Sequence, residues 1–174
     1  KTAYGMGANV FLFGRHEERM DHLREFIGRK AHVLLSTEES VSEHLKDADL
    51  VIGAVLVTGA KAPHIVTEKM VKTMQPGSVI VDVSIDQGGC IETSKPTSHS
   101  NPVFVKHGVT HYCVTNMPGA YPRTSTLALT NATLPYILKL AEKEINALKE
   151  DKGFAKGLNT YEGFIAYKPV AEAL

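Results

Sequence analysis

Asp86 is the residue whose type and setting point most directly to a ligand-binding or reacting site. It follows a nearly continuous β-branched run, Val79-Ile80-Val81-Asp82-Val83-Ser84-Ile85, and precedes Gln87-Gly88-Gly89. Such a run fits a strand buried on both faces of a parallel sheet. Its carboxyl end is where α/β sheets place ligands and reacting groups. A carboxylate beside two glycines that permit close backbone approach reads as the lip of a site. The same residues also read as a strand-end turn that uses Asp and Gly for its geometry. Other strand ends carry similar potential. Val114-Thr115-Asn116-Met117-Pro118 holds an amide able to donate and accept, or an Asx-turn before proline. Gly53-Ala54-Val55 leaves room for a flat ring against the backbone, or marks tight packing.

Positioning these groups falls to an alternation of strand and helix patterns. Residues 9–13 (NVFLF), 32–35 and 49–57 (DLVIGAVLV) read as strands, as do 102–105 and 110–114. Residues 17–27 read as a helix, with Met20, Leu23 and Ile27 on one face. Ser36-Thr37-Glu38-Glu39 reads as a capping box before a helix that turns Val41 and Leu45 inward. Thr67 caps a further helix carrying Met70, Val71 and Met74, ended by Pro76-Gly77. Strands separated by helices in this way predict βαβ units, a parallel sheet and right-handed crossovers. After Pro122 the character changes: residues 124–149 form a long helical stretch with an interruption or kink expected near Pro135. The last 22 residues are mixed, with Gly157 and Gly163 as breakers.

With 174 residues, 43% hydrophobic content and zero formal charge, the chain supports one core, or one domain and part of another. Balanced charge argues against a nucleic-acid or anionic-membrane partner held by bulk electrostatics. Two cysteines are too few for a disulfide framework, so a reducing cytoplasm is expected. No apolar run reaches the roughly 20 residues of a membrane span, and no signal peptide is visible.

The first strand runs into Gly14-Arg15-His16. In a dinucleotide-binding unit an Asp or Glu here would bond the ribose hydroxyls, whereas an Arg suits a 2′-phosphate. Arg15 in a solvated turn is the plain alternative. His107, His111 and Cys113 invite a metal reading, but Gly108 breaks their common face and no second ligand pair has zinc spacing. No metal is expected.

Three blocks in order, VIGAVLVTGAKAPHIVTEKMV, GSVIVDVSIDQGGCIETSKPTSHSNPVF and HYCVTNMPGAYPRTSTLALTNATLPY, resemble the alanine dehydrogenase family. The likeness runs from about Lys1 to the last residues. Transhydrogenase alpha subunits and saccharopine-type enzymes share the fold without the DQGG and NMPGAYPRTST wording. The resemblance implies an α/β, Rossmann-type doubly wound parallel sheet whose first strand is missing from this chain. Residues 1–121 would be a partial dinucleotide-binding domain, and 122–174 the segment that returns to the substrate domain.

The implied activity is reversible oxidative deamination of L-alanine to pyruvate and ammonia, with a hydride passed to NAD or NADP. The implied assembly is a homo-oligomer, often a hexamer. By motif, Asp86 matches the acid/base residue. Val83, Ser84, Ile85 and Asp86 match the nicotinamide side, and Val114, Thr115, Asn116 and Met117 the neighbouring loop. Val55 and Leu56 match nucleotide contacts, Ser36 the adenine end, and Lys95 and Arg19 basic cofactor contacts. Two departures stand out. Gly14 replaces the usual Asp and Arg15 an aliphatic residue, which points to tolerance of NADP. The glycine-rich loop and the substrate-domain Arg, Lys and His would lie upstream of Lys1, so the chain alone is expected to be inactive and poorly folded. The alternatives are a non-catalytic nucleotide-binding module and a transhydrogenase-type NAD(H)-binding domain working with a membrane partner.

Overall fold

Apolar runs form the strands and the capped amphipathic stretches between them form the helices. The computed structural model describes residues 1–28, 30–57 and 61–173; the 58–60 part of the first family-like block lies outside them. A short helix α1 (Thr2–Gly5) leads to strand β1 (Phe11–Gly14). A 3-10 turn (Glu17–Arg19) then runs straight into α2 (Met20–Ile27). Next come β2 (His32–Leu35), α3 (Glu38–Leu45), β3 (Leu50–Gly53), α4 (Glu68–Val71) and β4 (Val79–Asp82). A second 3-10 turn (Val83–Gln87) carries the chain past Asp86. It then passes to β5 (Val103–Lys106) and β6 (Val109–Tyr112).

Beyond a third 3-10 turn (Met117–Ala120) lie α5 (Pro122–Lys143), α6 (Asn146–Glu150) and α7 (Lys152–Ala155). A small hairpin of β7 (Thr160–Tyr161) and β8 (Phe164–Ile165) follows, and α8 (Lys168–Ala173) comes last. Among the described residues no helix is long and apolar enough to cross a membrane.

β1 and β2 pair in parallel as a two-stranded sheet. The larger sheet has the order β3-β4-β6-β5. β3, β4 and β6 are parallel, with Gly53 opposite Asp82 and Val81 opposite Tyr112. Their carboxyl ends therefore open on one edge. β5 departs from the expected parallel pattern and runs antiparallel to β6. The reason is local: His107 and Gly108 have φ of 55° and 77°, and a two-residue turn with both φ positive sends the chain straight back.

Three helix expectations need correction. The N-cap of α3 is Thr37, not Ser36: the Thr37 hydroxyl accepts from Ser40 N–H at 3.1 Å. Ser36 is spoken for by the ladder, since its N–H donates to Gly14 O at 2.8 Å. α4 stops at Val71, short of Pro76, because the Thr73 hydroxyl takes the Met70 carbonyl at 2.8 Å and the next turn tightens. α5 runs through Pro135 without interruption, and the break comes instead at Glu144, with φ 50° and ψ −136°.

The core lies where α3 and α4 pack on the larger sheet. Val41, Leu45, Val66, Met70, Val71, Met74, Ile80, Ile91 and Val109 are buried together. Phe13 of β1 and Val51 of β3 pack against the same cluster. Each such side chain contributes about 1.5–3 kcal/mol on burial, which holds the strand ends, and the loops leaving them, in register.

Candidate functional site

The loops that leave β4 and β6 meet at the shared edge. Asn116 N–H donates to the Asp86 carboxylate, at 3.1 Å to Oδ1 and 3.4 Å to Oδ2. Asn116 sits in the left-handed region (φ 51°, ψ 52°), a conformation that Asn tolerates better than most residues. Its carbonyl accepts from His99 Nε2 at 3.0 Å and from Gly119 N–H at 2.8 Å. Asp86 itself is exposed, so its remaining lone pairs face outward. Such a carboxylate can accept or deliver a proton.

Beneath it lies a second carboxylate with no exposed surface. Asp82, the last residue of β4, accepts from Ser84 N–H at 3.0 Å on Oδ1. Its Oδ2 accepts from Cys90 N–H at 3.0 Å and Ile91 N–H at 3.2 Å. The Cys90 thiol points at Oδ1, 3.5 Å away. Burial pushes the Cys90 and Cys113 thiols up from their ordinary range, so neither is an activated nucleophile. Gly88 and Gly89 have φ of 94° and 80°, which lets the loop double back onto Asp82. A Cβ on Gly89 would stand 2.9 Å from Asp82 Oδ2, and one on Gly53 would stand 2.5 Å from Cys90 Sγ. Tight packing therefore accounts for Gly53, and turn geometry for Gly88-Gly89.

Ser84 joins this loop to the one after β3. Its hydroxyl accepts from Val55 N–H at 2.7 Å and donates to Val55 O at 2.8 Å. Ser84 and Ile85 are buried. Val83 and Leu56 are exposed, at 48% and 69%, on the segments that leave β4 and β3. Val114 is buried, while Thr115 N–H donates to Thr97 O at 3.1 Å. Met117 opens the third 3-10 turn.

Gly14 ends β1 and Arg15 follows it, Arg19 closes the first 3-10 turn, and Ser36 follows β2. Arg15 and Arg19 are exposed, and nothing lies within 4 Å of a Cβ built on Gly14. Ser36 lines a shallow cavity of ≈ 190 Å³ with Thr37, His64 and Ile65. Lys95 lies over the Phe104 ring, 4.5 Å from its centroid. The histidines of HGVTH part company. His107 bonds Glu68 at 2.6 Å, and His111 is buried against Thr93 at 2.7 Å. His111 Nδ1 must donate to the Val109 carbonyl, so its Nε2 accepts from the Thr93 hydroxyl. Among the described residues no group of His, Cys, Asp and Glu could hold a metal ion.

Asp82 and His99 were not singled out from sequence. A lone acid within a β-branched run is a visible signal for Asp82; His99 lies in a polar loop with none.

Residues 1–168 match the model of the alanine dehydrogenase/PNT C-terminal domain. The chain belongs to this family. It is similar to alanine dehydrogenase 2 of Staphylococcus aureus strain USA300, with 51% identity over 99% of this chain and 47% of that protein. Among solved structures, an L-alanine dehydrogenase superposes with a TM-score of 0.84 at 45% identity, over 99% of this chain and 48% of the other. A transhydrogenase from Sinorhizobium meliloti follows at 0.64 and 28%, over 72% of this chain and 37% of the other. The chain thus spans about half the length of the alanine dehydrogenases it matches. Its fold is the Rossmann-like α/β architecture that this family shares.

Proposed function

We propose that this chain is the nucleotide-binding part of an oxidoreductase that interconverts L-alanine with pyruvate and ammonia, using NAD or NADP. Family membership supports the class of reaction. The observation that carries the chemistry is the outward carboxylate of Asp86, tethered by Asn116 N–H at the common edge of β4 and β6. A nicotinamide ring is flat and mostly apolar with one amide; exposed Leu56 after β3, exposed Val83 after β4 and the amide of Asn116 after β6 offer surfaces of that kind. A bound nicotinamide would supply a hydride acceptor for the α-carbon of the substrate.

In this reading Asp86 accepts a proton from the water that adds to the imine carbon and returns it to the departing ammonia. Both transfers require hydrogen-bond reach to the water and the nitrogen. Leu56 and Val83 exclude bulk water from the reacting face. Residues 1–121 act as the dinucleotide-binding portion and 122–174 as the return to a substrate domain. The exposed apolar side chains of α5, among them Leu129, Ile137 and Leu138, favour a partner surface, either that domain or another copy in a homo-oligomer.

Cofactor choice follows from β1. The open space at Gly14 and the exposed guanidinium of Arg15 favour acceptance of a 2′-phosphate, because Gly14 brings no carboxylate of its own to repel it and the Arg15 cation attracts it. The deciding experiment follows NAD(P)H formation by the complete enzyme with L-alanine, and its consumption with pyruvate and ammonia. Absence of turnover in both directions with both cofactors overturns the proposal.

A further inference from the structure

A carboxylate with no exposed surface is costly unless its lone pairs are used. Asp82 spends all of its contacts on one loop. Its two oxygens gather the N–H groups of Ser84, Cys90 and Ile91 and the thiol of Cys90. Those donors come from both ends of residues 82–91, so the carboxylate closes that stretch into a ring with Asp86 at its tip. Further bonds keep the ring flat against segment 62–66: Gln87 O accepts from Ala62 N–H at 3.0 Å, and Cys90 O from Ile65 N–H at 2.8 Å. Ser84 then fastens the ring to the loop after β3, through both backbone groups of Val55. Its hydroxyl is thereby occupied, and a role for that hydroxyl as a cofactor ligand is disfavoured.

We propose that Asp82 and Ser84 are positioning residues that fix the Asp86 carboxylate relative to the Val55 backbone. The loops after β3 and β4 then move as one body, and the Asn116 tether joins the loop after β6 to them. The consequence for turnover rests on the proposed function; the lock itself does not. A carboxylate is needed because both oxygens accept. In Asp82→Asn, whichever way the amide is turned, its NH2 group meets two of the donors. Ser84→Ala removes the link to Val55 while leaving the buried charge and its contacts in place.

The test uses the complete enzyme and reads amide hydrogen exchange by mass spectrometry together with steady-state kinetics and NADH binding. In Ser84→Ala, exchange is expected to rise about tenfold in residues 82–91 and also in 53–57, while α3 and β2 keep wild-type rates. With L-alanine, kcat is expected to fall at least ~10-fold while the Kd for NADH stays within about threefold, as for a misplaced but intact group. Asp82→Asn should show the same pattern; if it does not accumulate folded, Ser84→Ala decides alone. Exchange that rises only in residues 82–91, or uniformly over the protein, overturns the lock. So does a tenfold weaker Kd for NADH with unchanged kcat, which would make Ser84 a cofactor ligand. A wild-type enzyme that fails to turn over L-alanine counts against the proposed function, and the exchange data still decide the lock.

Discussion

At the scale of single residues, the site is a set of polar groups whose partners differ in how visible they are in sequence. Asp86 and Asn116 stand out because each follows an apolar run at a strand end, and the fold brings them within hydrogen-bond distance. The support beneath them was less legible. Asp82 looks like part of a strand, and only the way the loop returns through Gly88 and Gly89 shows that its carboxylate binds amides up to nine residues away. His99 acts through the Asn116 carbonyl, a contact set by tertiary approach that no local pattern encodes. Arg15 is the residue with the sharpest test. If it attracts a 2′-phosphate, Arg15→Ala in the complete enzyme should lower the ratio of kcat/KM for NADP over NAD by roughly tenfold, the loss of one charge-assisted contact. A strong NAD preference that Arg15→Ala leaves unaltered contradicts that role.

At the scale of elements, periodicity located every strand of the larger sheet and both core-forming helices, because burial on one or both faces writes itself into the residue pattern. What it missed was decided by a few polar contacts. Thr37 took the cap because Ser36 was needed by the ladder, and β5 ran antiparallel because a two-residue turn left no alternative. α4 offers a pH test of one such contact. Glu68, in its first turn, accepts from His107 and sits 3.2 Å from Lys106 Nζ, tying α4 to the β5–β6 turn. The His107 bond, followed by that of Lys106, lowers the Glu68 carboxyl below its ordinary 4.5. Between the folded and unfolded values the unfolded chain holds more protons. The stability linked to ionised Glu68 is therefore fully present above 4.5 and lost as pH falls through the lower folded value. In urea unfolding of the complete protein, Glu68→Gln should be less stable than wild type at pH 6, with the difference shrinking toward pH 3. A difference that stays constant over that range would show that the charge plays no part.

At the scale of the whole molecule, the parallel pair β1–β2 and the mixed four-stranded sheet are not hydrogen-bonded to each other. Both β1 and β3 carry exposed apolar residues, Phe11 on the first and Leu50 and Ile52 on the second, at 39%, 53% and 59%. α5 buries none of its side chains. Unpaired strand edges and exposed apolar faces of this kind are binding surfaces in a larger assembly and liabilities without one. Residues 1–174 in isolation are therefore expected to bind a hydrophobic dye and to unfold without a sharp cooperative transition. A steep two-state transition with no dye binding contradicts this. Proton transfer by the Asp86 carboxylate, the role proposed for it, is probed by Asp86→Asn in the complete enzyme. In that variant kcat with L-alanine is expected to fall about 10²–10⁴-fold, the range of general acid–base catalysis, while the Kd for NADH stays near that of wild type. An Asp86→Asn enzyme whose kcat remains within a few-fold of wild type would contradict it.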